Sequence, residues 1–195
     1  MSQNIVPVFP VYFIWGLFKR IFNTIFLCLF LPIFSFAAGN FQKGYEAHLR
    51  GAFSAAIKAW GPLAAQGDAA AQFNIGNLFV FGKGVREDNV QAAYWYNKSA
   101  EQDNVNAQYA LGWMYENGEG VKKDLVKALL WYKKAADQKH SGAQTNLGWM
   151  YENGKGVELD HTQAVFWYKK AAKQGSYKAK QMIEELELES VSVDD

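Results

Sequence analysis

The 195-residue chain carries 20 basic against 19 acidic residues, is 50% apolar and 16% aromatic, and contains one cysteine. That balance excludes a disordered chain, a strongly basic nucleic-acid binder and a disulfide-stapled small domain. Eight of the 14 Phe, three of the four Pro and the only Cys lie within residues 1–37, so composition divides the chain in two.

Segment 1–37 combines the basic pair Lys19-Arg20 with an apolar run from Ile21 to Phe36 and closes on Ser35-Phe36-Ala37. Small residues at the two positions a signal peptidase reads, behind a run short of the roughly 20 residues of a membrane span, predict a secretory signal cleaved after Ala37. A second apolar patch, Val6 to Phe18, precedes the basic pair and leaves an uncleaved inner-membrane anchor as the alternative. Cleavage would remove Cys28, Lys19 and Arg20, leaving 18 basic against 19 acidic residues and no possible disulfide. The expected location is the periplasm of a Gram-negative bacterium, with secretion or inner-membrane anchoring as alternatives, and membrane contact only where the signal is uncleaved.

Residues 40–68 read as a degenerate capping repeat. A weak helix over 40–50 precedes GAFSAAIKAWGPLAAQGD, which resembles the second helix of a hairpin, with Trp60 near the Trp position of the repeats and Pro62 as a kink or boundary. Three full repeats follow, at 69–104, 105–140 and 141–176. Their first halves begin AQFNIGNLFVFGKGV at Ala71, AQYALGWMYENGEGV at Ala107 and AQTNLGWMYENGKGV at Ala143, 36 residues apart, and the last two agree at 12 of 15 positions. Their second halves, QAAYWYNKSA, KALLWYKKAA and QAVFWYKKAA, place Trp95, Trp131 and Trp167 at one register. Residues 177–195 open like another first helix, then turn acidic, and read as a C-terminal cap helix with an acidic tail.

Each unit predicts two helices. In helix A, Ala107, Leu111 and Tyr115 share a face, and Gly112 beside them leaves room for a second backbone. In helix B, Ala128, Trp131, Tyr132 and Ala135 keep the spacing of a buried stripe. Between them the first loop glycine, as in Gly118, can close helix A in a left-handed conformation, and Asp124, like Asp88 and Asp160, can cap helix B. Val85, Val121 and Val157 are apolar in a polar loop and fit the gap between helices. Hairpins this short cannot bury their apolar faces alone, so neighbours must stack.

The pattern A-x-x-x-L-G-x-x-Y-x-x-G-x-G-V-x-x-D followed by K-A-x-x-W-Y-x-K-A-A resembles the Sel-one-like repeat, a branch of the tetratricopeptide superfamily, over about residues 44–180. Repeat 1 departs from it at Asn77, Leu78 and Phe79, where the others read WMY, and at Val80 and Phe81. The resemblance implies an all-α, right-handed solenoid of antiparallel helix hairpins whose helix A residues line a concave, protein-binding surface. It also implies an adaptor or scaffold, with an immunity protein neutralising a secreted lipase-type toxin as the alternative and a β-lactamase-like envelope hydrolase as a weaker one. The cysteine-rich branch associated with penicillin binding carries cysteines that this chain lacks.

Catalysis finds little support. His48, His140 and His161 stand in unrelated contexts without metal-ligand spacing and read as loop or surface residues. The Gly-x-Gly loops lack the third glycine and preceding strand of a phosphate cradle. The expectation is a monomer without enzyme activity, cofactor or metal, binding another protein and no nucleic acid. On the outward side of helix A, opposite the Ala107, Leu111, Tyr115 face, the candidate contact residues are Phe73, Asn77, Tyr109, Trp113, Glu116, Trp149 and Glu152. Large aromatics rimmed by acids suit a binding surface, although Trp113 and Trp149 would equally suit a seal between repeats. Lys98, Lys134 and Lys170 on helix B read as a solvated convex face.

Overall fold

The computed structural model describes residues 39–192; the predicted signal segment and the last residues of the acidic tail lie outside them. Nine helices and no strand occur among the described residues. They are α1 (39–49), α2 (Phe53–Ala65), α3 (Ala69–Val80), α4 (Asn89–Ala100), α5 (Val105–Asn117), α6 (Leu125–Asp137), α7 (Ser141–Glu152), α8 (His161–Lys173) and α9 (Tyr177–Ser192). Each packs on its neighbours in sequence, most closely within the pairs α3–α4, α5–α6 and α7–α8, which is the arrangement of a solenoid of hairpins.

Both ends of the helices follow from side-chain chemistry. Asp88, Asp124 and Asp160 accept from the backbone N–H of Gln91, Lys127 and Gln163, satisfying donors that helix B cannot pair internally. Gly118 closes α5 at φ 77°, and Gly82 and Gly154 follow their helices at φ 61°, in the left-handed region that favours glycine. The helix A caps form a second 36-residue series that the sequence reading missed: Asp68, Asn104, His140 and Ser176 each accept from the N–H three residues on. His140, half-buried in the loop before α7, is therefore also a capping residue; its neutral Nδ1 accepts from Ala143 N at 3.1 Å. His48, half-buried, packs on Phe53 and Trp60. Helix α2 continues through Pro62 to Ala65, so that proline sits inside the last turn.

Gly112 serves a different neighbour from the one expected. A Cβ there would lie 2.7 Å from Cδ1 of Tyr132, so it is the tyrosine ring, not a backbone, that the glycine admits. Gly76 with Tyr96, Gly148 with Tyr168, and Gly44 with Trp60 repeat the contact. Trp60 thus fills the tyrosine register and not the neighbouring Trp register. Backbone-to-backbone contact falls instead to the second loop glycine: a Cβ on Gly84, Gly120 or Gly156 would collide with the main chain at Phe53, Asn89 or Leu125, the first turn of the preceding helix B.

Neighbouring repeats are joined by apolar contacts and by a glutamine ladder. Buried Gln72, Gln108 and Gln144 each donate to a carbonyl at the end of the preceding helix B, on Ala64, Ala100 and Ala136. Each also accepts, at 2.7–2.8 Å, from Gln102, Gln138 or Gln174 in its own hairpin. Each of these carbonyls also accepts a backbone N–H from the turn that follows, Gly67, Asp103 and Lys139 respectively, so the glutamine is its second donor.

Candidate functional site

Helix A owes its outward residues to the glycine face. With Ala107 and Leu111 turned to the core, Trp113 falls on the far side of α5, while Tyr109 and Glu116 lie at its flank beside Gly112, within reach of Tyr132. The corresponding residues of α3 are Phe73, Asn77 and Val80.

Two of these positions are fixed within the hairpin. Tyr132 donates to Glu116 Oε2 at 2.6 Å and Tyr168 to Glu152 Oε2 at 2.5 Å. Burial, then the carboxylate, pushes both phenols well above the usual tyrosine range, so they remain donors. Val80 holds this register in repeat 1, and Tyr96 turns to Asn77 Oδ1 at 2.6 Å instead.

The two tryptophans separate. Trp149 packs against two core clusters, the one around Tyr132 and Leu147 and the one around Tyr168 and Ala179, and so seals repeat 3 to the terminal helix. Trp113 is 41% exposed and lines a surface cavity beside Met114. Tyr109 stacks on His140 with ring centroids 4.4 Å apart.

Between α3 and α5 the chain leaves a mostly apolar cavity of about 460 Å³. Phe73, Val80 and Phe81 form one wall, Tyr109, Trp113 and Met114 the other, and Asn77, Asn89 and Asn106 contribute carboxamides. Of the predicted contact residues, this cavity brings together Phe73, Asn77, Tyr109 and Trp113, and leaves Glu116, Trp149 and Glu152 outside. Val80, Phe81 and Asn106 were missed as contact residues. The signal for the first two was present in the departure of repeat 1 from its sisters, which place Glu and Asn there. Such a cavity can take an apolar side chain and offer amide donors and acceptors to the backbone carrying it. Among the described residues no group of three or more His, Cys, Asp or Glu gathers as a metal site would require.

The Sel1 repeat family model matches residues 69–104, 105–140 and 141–176. No curated protein matches the chain. Among solved structures, a Sel1 repeat protein from Oxalobacter formigenes is 37% identical, covering 70% of this chain and 56% of that one, with a TM-score of 0.67. A protective antigen with an SLR fold from uropathogenic Escherichia coli is 33% identical, covering 76% of this chain and 33% of its own, with a TM-score of 0.71. Cysteine rich protein B of Helicobacter pylori is 30% identical, covering 58% of this chain and 88% of its own, with a TM-score of 0.50. The chain therefore spans about half the length of the first and a third of the second.

Proposed function

The chain belongs to the Sel1 repeat family, whose repeats are protein–protein interaction modules, and from that premise we propose that it binds a partner protein on the helix A face, with an apolar side chain of the partner seated between α3 and α5. The observation that carries the reading is the cavity itself: repeat 1 replaces Trp, Glu and Asn by Asn77, Val80 and Phe81, and all three line it. Trp113 forms the opposite wall as a large aromatic that is 41% exposed, the kind of residue that dominates binding energy once water is excluded. The signal-like segment 1–37 supports export to the periplasm as the setting.

Two variants test this. Trp113→Ala removes the wall, and Asn77→Trp with Val80→Glu writes the repeat 2 pattern into repeat 1 and fills the cavity. Affinity capture from envelope extract, with partners identified by mass spectrometry, should lose the same protein in both variants while circular dichroism shows the fold retained. Capture of that protein by both variants at parental levels would sink the proposal. A secreted lipase as the captured partner would assign the immunity role.

A further inference from the structure

The helix B face carries an ordered surface that the hairpin core does not use. Tyr94, Leu130 and Phe166 occupy one register, 36 residues apart, and are 50%, 55% and 46% exposed. One turn earlier, Val90 and Val126 are also exposed. One turn later stand Lys98, Lys134 and Lys170, each with its ammonium over an aromatic ring, on Tyr94, Trp131 and Phe166 respectively, at 5.1, 4.3 and 4.4 Å. The ranks are neighbours: Lys133 of α6 reaches the Trp167 ring of α8, and Trp131 packs on the cluster containing Ala100 of α4.

Charge is segregated across the molecule. Helices α4, α6 and α8 hold seven lysines against Asp137 alone, whereas α3, α5 and α7 hold no basic residue and two acids, Glu116 and Glu152. Lys127 and Lys133 pair with Asp124 and Asp137. Among the described residues, Lys98, Lys134, Lys169, Lys170 and Lys173 form no ion pair. The acids nearby stand at the ends of the ranks: the caps Asp88, Asp124 and Asp160 at one end, Glu101 and Asp137 at the other. A solvated lysine face has no need of an aromatic or aliphatic residue repeated three times in its middle.

We propose that this face docks on an anionic phospholipid bilayer, with Tyr94, Leu130 and Phe166 at the headgroup boundary and the unpaired lysines on the phosphates. Aromatic rings settle at that depth, and lysine stems lie along apolar surface while their charge stays in water. A cleft of about 440 Å³ bordered by Val90, Tyr94, Lys98 and Val121, with Glu101 at its margin, continues the surface onto α5. No described helix is long and apolar enough to cross a membrane, so docking is peripheral. It leaves the helix A face open to the partner and does not depend on that partner.

The test places an environment-sensitive fluorophore on Val126→Cys in a Cys28→Ser background of the full chain, with Asn153→Cys at the end of α7 as the control. With vesicles of phosphatidylglycerol in phosphatidylcholine at low salt, emission should shift to the blue at 126 and not at 153, and high salt should abolish the shift. Lys134→Gln with Lys170→Gln should weaken partition about 30-fold, and Leu130→Ser with Phe166→Ser should lower it without changing the salt dependence. Both pairs are exposed, and a parental melting curve confirms that they fold. Equal shifts at both labels, a shift on phosphatidylcholine alone, or binding to heparin without binding to anionic vesicles would overturn the proposal.

Discussion

Gly112→Ala sets intrinsic helix propensity against the contact that organises the hairpin. Propensity alone favours the variant, because glycine inside a helix is about 1 kcal/mol worse than alanine. The geometry opposes it: the new methyl would stand 2.7 and 2.8 Å from Cδ1 and Cε1 of Tyr132. That ring is fully buried, and its hydroxyl is held to Glu116 at 2.6 Å, so any shift of the ring disturbs both its packing and its hydrogen bond. Overpacking costs about 1–3 kcal/mol, and a hydrogen bond to a charged acceptor contributes about 1.5–3 kcal/mol. The lower ends of those ranges, less the propensity gain, give a net loss of about 1.5 kcal/mol. Urea unfolding followed by circular dichroism measures it, with Tyr132→Leu as companion. In that background the methyl enters vacated space, so the penalty should shrink or change sign. A Gly112→Ala variant as stable as the parent would refute the reasoning.

Other consequences are equally specific. Burial lowers the proton affinity of His140, and its cap on Ala143 N needs the neutral ring. The unfolded chain is then protonated first as pH falls, so this contribution is complete above about 6.5, the ordinary histidine value, and is lost below it. His140→Asn, which copies Asn104, should flatten that part of the stability profile in urea titrations on either side of that pH. Gln108→Leu removes one of the two donors to the Ala100 carbonyl, which the Asp103 N–H still serves, and should cost about 0.5–1.5 kcal/mol, read as a lower urea midpoint, whereas exposed Gln138→Leu should cost less. Asp124→Ala should cost about 1 kcal/mol through loss of the cap on Lys127 N, and Asp124→Asn should retain most of it, checked by thermal melts.

The hairpin architecture was legible because its rules are local and recur. The glycines, the helix B caps and the apolar stripe each repeat at 36 residues, and any one of them could be read against its two copies. What escaped were features of relation between helices. The helix A caps are four different residues, Asp68, Asn104, His140 and Ser176, so identity hid a function that register would have exposed. The glutamine ladder was visible as the second letter of each AQ pair, yet nothing in one helix says that its amide must reach the end of the preceding one. Periodicity placed Trp113 and Trp149 together because their sequence contexts match. The structure separates them because α9 covers Trp149 while Trp113 lies across from the shorter side chain of Asn77.

That last contrast explains why repeat 1 carries the cavity. In repeats 2 and 3 a glutamate takes the tyrosine hydroxyl, leaving the register three residues earlier free to hold a tryptophan. Val80 cannot accept a hydrogen bond, and a buried hydroxyl without an acceptor is costly. Asn77 supplies the acceptor from one turn earlier, at 2.6 Å, and in doing so removes an indole from the surface. The two departures are therefore one coupled change: Val80→Glu alone places an acid against Phe73 and Met114, and Asn77→Trp alone orphans the Tyr96 hydroxyl, so each should destabilise. The double variant restores the bond pattern of the sister repeats and should recover stability relative to either single change while losing the cavity. A positive coupling energy in stability together with loss of the captured partner would separate what holds this repeat together from what it binds; additive losses in stability would show the two positions to be independent.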